Sequence, residues 1–181
     1  MSTDRILILH GWGGSDYPHW QAKLASHLAC DYGTVSFPLL DNPHFPSKNR
    51  WVKQAKEIIN DFKPNIVVAH SLGCILWLLV VGEIDIGLDK LILVAPPSKN
   101  TNIDTIKSFF PYRIPDDIKS KESIIIVSDN DEYIDIQEAK EFASACKAHL
   151  EIIPNAGHIN TQSGFGKWEY IEKLLEQKSD S

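Results

Sequence analysis

Basic charge is scarce in this chain: 18 Lys and Arg stand against 24 Asp and Glu, a formal charge of -6. Nucleic-acid binding needs concentrated Lys and Arg to neutralise phosphates. No basic cluster occurs, so that class of partner is excluded. Cysteine is sparse too. Cys30, Cys74 and Cys146 lie far apart, with no C-x-x-C pair. That spacing speaks against a zinc site or a disulfide framework, and reduced thiols fit a cytoplasm. No uncharged run is long enough to cross a bilayer, so no membrane partner is expected. Met1 to Arg5 leads straight into an apolar strand, without a signal-peptide core or cleavage site. Neither G-x-G-x-x-G nor a P-loop lysine is present, which disfavours nucleotide binding. Repeats and low-complexity linkers are also missing.

What remains is an ordinary soluble composition, with 43% hydrophobic and 23% charged residues in 181. That length suits one domain over residues 1–181. Short apolar runs mark six strands: Ile6 to Leu9, Thr34 to Phe37, Ile66 to Ala69, Leu91 to Val94, Ser123 to Val127 and Leu150 to Ile153. Helical spacing fills most gaps. Trp20, Leu24 and Leu28 share a face, as do Trp51, Ala55, Ile58, Ile59 and Phe62. Ala139, Phe142, Ala143 and Cys146 mark another helix, and Trp168, Ile171 and Leu175 a last one before a polar tail, Gln177 to Ser181, that should fray. Cys74 to Val81 is apolar on every side, so it reads as a buried helix. The alternation implies a parallel sheet with helices on both faces, an α/β architecture. Ligand chemistry in such sheets gathers at the carboxyl ends of the strands.

Ser71 sits at the junction of the third strand and the buried helix, in Ala69-His70-Ser71-Leu72-Gly73. This is the strand–serine–helix turn of a nucleophile elbow, with Ala69 in the first glycine position. A sharp turn needs small residues two before and two after the serine, and Ala69 and Gly73 meet that need. The turn lifts the Ser71 hydroxyl above the sheet and aims the Leu72 N–H at the reacting carbonyl. Taken alone, a serine before a helix is often only an N-cap. Past the first strand, His10-Gly11-Trp12-Gly13 reads as an oxyanion loop in which the Trp12 N–H faces the nucleophile. His158 follows the last strand in a Gly-His loop, free to swing over Ser71. Asp129, Asp131 and Glu132 follow the fifth strand, and spacing does not choose between Asp129 and Asp131. Asp135 lies farther along. Serine, acid and histidine thus fall in the chain order of α/β-hydrolases, each past its own strand. His19 and His27 have no partner pattern and read as surface or packing residues.

Five stretches carry a resemblance: LHGWGGSDYPHWQ, VVAHSLGC, LVAPP, SDNDEY and AGHINTQSGFGKW. Together they are similar to the small serine hydrolases typified by retinoblastoma-binding protein nine and the bacterial YdeN-type proteins. The resemblance implies a minimal α/β-hydrolase fold without a lid domain, and a Ser–Asp–His triad. The acid of that family's motif is the Asp directly after Asn, which here is Asp131. Asp129 and Glu132 stand where members often carry Arg and Pro.

These readings point to a cytoplasmic hydrolase of small, short-acyl carboxylic esters, working by acylation of Ser71. No metal or organic cofactor is implied, and amide or peptide cleavage is a variant of the same chemistry. A binding or scaffold protein that keeps the triad vestigially is the competing class. Residues 100–120 are too few for a lid domain, and their aromatics could wall a pocket or pack the loop on itself. An open pocket is expected, walled by His10, Gly11, Trp12, His70, Pro96 and Pro97, with Phe109 from that segment.

Overall fold

The apolar runs are parallel strands in the computed structural model, which describes residues 4–31 and 34–176. The tail Gln177 to Ser181 lies outside the described residues. Strands β1 (Ile6–Leu9), β2 (Val35–Ser36), β3 (Ile66–His70), β4 (Leu88–Val94), β5 (Ser120–Ser128) and β6 (His149–Ile153) form one sheet. Its order is β2-β1-β3-β4-β5-β6, and every pair is parallel. Helices α1 (Trp20–Asp31), α2 (Lys48–Phe62), α3 (Leu72–Val80), α4 (Ile136–Ala145) and α5 (Glu169–Glu176) fill the end and every crossover except β4–β5, which carries only the short turn Lys107–Phe109. This is the α/β-hydrolase fold, and among the described residues no lid covers the sheet edge.

Alternate strand residues point to opposite faces, and both faces are covered. Leu7, Leu9, Val67, Ala69, Leu91, Leu93, Ile125 and Val127 pack with Trp51 of α2, Trp77 of α3 and Phe142 of α4. Ile6, Ile8, Val68, Ile92, Val94, Ile124 and Ile126 pack under Trp20 and Leu24 of α1 and Ile171 of α5. Burying each such Leu or Ile contributes about 1.5–3 kcal/mol. Burial on both faces is why the strands are continuous apolar runs instead of alternating ones. The uniformly apolar α3 follows the same logic, since seven of its eight side chains and its one glycine are buried.

Several boundaries move from the sequence expectation. β4 and β5 begin earlier, at Leu88 and Ser120, and Lys90 and Glu122 sit in these strand starts. Lys90 Nζ lies 3.5 Å from Glu122 Oε2 and donates to the Leu174 carbonyl, so polar residues complete the ladders there. An apolar-run criterion passes over such strand ends. Trp168 precedes α5 instead of lying in it, and meets Trp20 edge-on at 5.2 Å.

The chain leaves β1 toward β2 on one side and returns to β3 on the other. The crevice between the carboxyl ends of β1 and β3 is therefore the switch point where ligands collect in open α/β sheets. His10 and Ser71 are the first residues past those two ends.

Candidate active site

Ser71 is held between two regular structures. Its N–H donates to the Val94 carbonyl at 2.9 Å, prolonging the β3–β4 ladder, and its carbonyl accepts from the Cys74 N–H at 2.9 Å in the first turn of α3. Meeting both demands forces φ to 54° and ψ to -123°. A non-glycine residue there stores about 1–3 kcal/mol of strain, which persists only where the surroundings over-determine it. Gly73 shows how tight the turn is. A Cβ on it would lie 2.6 Å from the Leu9 carbonyl oxygen and 2.7 Å from that of His10. Only glycine lets α3 start this close to β1.

The Ser71 hydroxyl lies 2.8 Å from His158 Nε2, and His158 Nδ1 lies 2.9 Å from Asp131 Oδ2 and 3.1 Å from Oδ1. An ionised carboxylate only accepts, so Nδ1 carries a proton and, in neutral imidazole, Nε2 accepts from the serine. The Asp131 side chain is fully buried, with the Tyr133 N–H also donating to Oδ1 at 2.9 Å. The other acid candidates lie elsewhere. Asp129 Oδ1 accepts from the Asn155 N–H at 2.7 Å, and Asp135 caps α4 by accepting from the Glu138 N–H at 2.9 Å. Glu132 is exposed.

A cavity of about 300 Å³ opens beside Ser71. Gly11, Trp12, His70, Leu72 and Pro97 line it. Among the described residues, no backbone carbonyl accepts from the N–H of Trp12 or of Leu72. Both are donors available to a ligand's oxygen.

Three expected pocket residues do not line the cavity. His10 is buried with both ring nitrogens engaged: Nδ1–H donates to the Gly11 carbonyl at 2.7 Å, and Nε2 accepts from the Leu40 N–H at 2.9 Å. It shapes the loop and has no nitrogen left for a substrate. Phe109 is 1% exposed and packs edge-on against Trp51 at 5.5 Å. The short turn Lys107–Phe109 puts it in the core, and Ile106 reaches the cavity instead. Pro96 is buried beside Ala95, whose φ of 50° turns the chain as β4 ends, and only Pro97 of the pair reaches the cavity. Nor does the His158 loop swing freely. The His158 carbonyl accepts from His70 Nε2–H at 3.0 Å, and the Ile159 carbonyl from Trp20 Nε1–H at 2.8 Å.

His19, read from sequence as a surface or packing residue, is a cavity wall only 6% exposed. Its ring lies 5.0 Å from that of His70, and its Nδ1 accepts from the Gln21 N–H at 3.1 Å. Burial, reinforced by His158, lowers its pKa from 6.5 to about 4. Burial likewise holds His70 well below the ordinary range and lowers His10, so these imidazoles are neutral near pH 7. The available signal was positional: His19 precedes the helix that starts from the β1 edge. Tyr133, Asn160, Thr161 and Gln162 also line the cavity unforeseen, with the Tyr133 ring 4.5 Å from that of His158. Among the described residues, no group of three or more His, Cys, Asp or Glu is placed to hold a metal ion.

Known proteins share this arrangement of elements. A family profile described as serine hydrolase matches residues 6–177. The crystal structure of the ydeN gene product from Bacillus subtilis superposes with a TM-score of 0.84 at 22% identity, covering 96% of this chain and 97% of that one. A protein described as a YdeN-like hydrolase from Pectobacterium atrosepticum gives 0.78 at 26% identity, covering 94% and 88%. Est1E from Butyrivibrio proteoclasticus, solved with ferulic acid, gives 0.70 at 15% identity, covering 97% and 90%. No curated relative matches the chain at a significant level.

Proposed function

Because the chain belongs to the serine hydrolase family, we propose that it cleaves small, short-acyl carboxylic esters through an acyl-enzyme on Ser71. The observation that carries this reading is the unbroken hydrogen-bonded path from Ser71 Oγ through His158 to the buried Asp131 carboxylate. His158 Nε2 takes the serine proton as Oγ attacks the ester carbonyl. The oxyanion that forms is met by the N–H groups of Trp12 and Leu72. His158 then gives the proton to the departing alcohol. A water activated by the same nitrogen attacks the acyl-enzyme, and the acid leaves with Ser71 restored. Asp131 holds the Nδ1–H tautomer and stabilises the imidazolium without taking the proton.

Pocket size supports a short acyl group. A cavity of about 300 Å³ is at the small end for ligand sites, and polar side chains such as Asn160 and Gln162 share its wall. Among the described residues, no helix is long and apolar enough to cross a membrane. The thiols of Cys30, Cys74 and Cys146 are free, which supports a reducing, cytoplasmic setting.

A series of p-nitrophenyl esters tests the proposal. Each added methylene that is buried gains about 0.8 kcal/mol, so kcat/KM should rise roughly fourfold per step from acetyl to butyryl and then level off. Ser71→Ala should lose ~10⁴-fold or more in turnover while staying folded. Equal esterase activity in wild type and Ser71→Ala would end the proposal, and a steady rise into long chains would end the short-acyl part of it.

A further inference from the structure

The loop that carries His158 has one turn bond of its own, from the Ile159 N–H to the Ala156 carbonyl at 3.1 Å, and takes the rest of its shape from outside. Asn155, Gly157 and Ile159 have φ of 53°, 56° and 49°, so left-handed residues alternate through it. Such a path builds neither helix nor strand, and its backbone groups must find partners elsewhere. They find them in the residues at the end of β5. The Asn155 N–H donates to Asp129 Oδ1 at 2.7 Å, the Ala156 N–H to Ser128 Oγ at 2.8 Å, and the Gly157 N–H to Asn130 Oδ1 at 2.8 Å. The next residue, His158, meets the next acid, Asp131. Asn130 joins these bonds, since its Oδ1 also accepts the Ser128 hydroxyl at 2.7 Å.

We propose that Asn130 is a positioning residue that, through Gly157 and Ser128, sets where the His158 imidazole stands relative to Ser71. The division of labour follows from geometry. Asp131 binds Nδ1, so it sets the tautomer and the ring's rotation. It does not set where the His158 backbone sits. That is decided one residue earlier, at the Gly157 N–H. The 2.8 Å contact between Nε2 and Ser71 Oγ depends on both. A displacement of about 1 Å at such a contact can lower a rate ~10²-fold. The inference rests on the proposed roles of Ser71, His158 and Asp131.

The test compares wild type, Asn130→Ala, Asn130→Asp, Asp131→Asn and the double variant Asn130→Ala/Asp131→Asn. It reads kcat and KM on p-nitrophenyl acetate, and the Nδ1 proton of His158 by NMR, assigned by its absence in His158→Ala. Asn130→Ala should lose ~30- to 100-fold in kcat with little change in KM, and its Nδ1 proton signal should broaden or vanish. Asn130→Asp keeps an acceptor for both partners and should recover much of the loss. In the Asp131→Asn background, adding Asn130→Ala should cost less than about threefold, because both act through one imidazole. An Asn130→Ala enzyme within about threefold of wild type, with its Nδ1 signal intact, overturns the proposal. So does a loss of equal size with and without Asp131. If Asn130→Ala does not fold, Asn130→Leu, which fills a similar volume without an acceptor for the Gly157 N–H, is read the same way. The NMR signal does not need turnover. A wild type whose activity is independent of Ser71 therefore sinks the catalytic reading by itself, while the signal still reports whether Asn130 places His158.

Discussion

Two loops reach Ser71 from opposite ends of the chain, and they are held in different ways. The loop after β1 offers the Trp12 backbone N–H, whereas the loop after β6 offers a side chain, His158. The first is held chiefly by backbone-to-backbone bonds. Gly13 and Gly14 supply φ of 83° and 84°, Gly14 N–H bonds back to the Gly11 carbonyl at 3.2 Å, and Gly13 N–H reaches the Pro43 carbonyl at 2.8 Å. The second is clamped by side chains from β5, by His70 and by Trp20. The difference reflects what each must deliver. A backbone N–H has no rotamers, so placing it needs only a chain path. An imidazole adds two torsions to any error in its Cα position, so its loop must be fixed from outside.

The contrast is broken most severely at the acid. Asp131→Asn should lower kcat by ~10³- to 10⁴-fold by favouring the wrong histidine tautomer. Asp129→Asn keeps a carbonyl acceptor for the Asn155 N–H and should cost no more than several-fold, since the hydrogen bond it preserves is a neutral one. Esterase kinetics of the two variants decide the matter, and the reverse ranking would make Asp129 the acid and Asp131 a loop clamp.

The glycine loop should respond less steeply. A Cβ on Gly11 would lie 2.9 Å from Ser71 Cβ and 3.2 Å from the His70 carbonyl oxygen, neither of which is a flexible side-chain end. Gly11→Ala should therefore push the Trp12 N–H off the oxyanion position and cost ~10²-fold in kcat, as loss of one such donor does. A Gly11→Ala enzyme with wild-type kcat would mean that the loop yields without moving its donor.

Acid should loosen the roots of both loops at once, by the smallest of these effects. His10 anchors the first loop, His70 holds the second, and His19 packs on His70, with all three pKa values lowered mainly by burial. A histidine with a lowered folded pKa binds more protons when unfolded. Its neutral, buried state contributes full stability above the unfolded pKa. For His19 that contribution is lost as pH falls from 6.5 toward about 4. Each such group adds a slope of about 1.4 kcal/mol per pH unit within its window. Urea unfolding at pH 7.5 and pH 5 should show a lower midpoint at pH 5, and equal midpoints would mean that these histidines protonate in the folded protein.

Much of the fold was legible because it rests on short-range rules. The six strands stand out as apolar runs because both faces of a parallel sheet are buried, and the alternation with helices follows from the crossovers such a sheet needs. Where polar residues enter, as at Lys90 and Glu122, the same rule missed the strand ends. Ser71 was legible as well, because the small residues around it are a local steric demand of the turn. Among the pocket residues, Phe109 and Ile106 show the limit. Three positions apart in one irregular segment, both are buried, yet one packs against Trp51 and the other lines the cavity. No local pattern separates them.

By itself, then, the chain determined the alternation of elements, the strand ends where chemistry could gather, and the sharp turn at Ser71. Each depends on residues within a few positions of one another. Only the tertiary structure decided that Asp131 faces His158 while Asp129 holds Asn155, that His10 is spent on the Gly11 and Leu40 backbone, and that His19 walls the cavity. Those outcomes hinge on bonds between groups that lie far apart in sequence and meet at one sheet edge. Asp129 and Asp131 are chemically alike and two positions apart. Which one meets the imidazole is set by the register between the ends of β5 and β6, and that register is a property of the packed sheet.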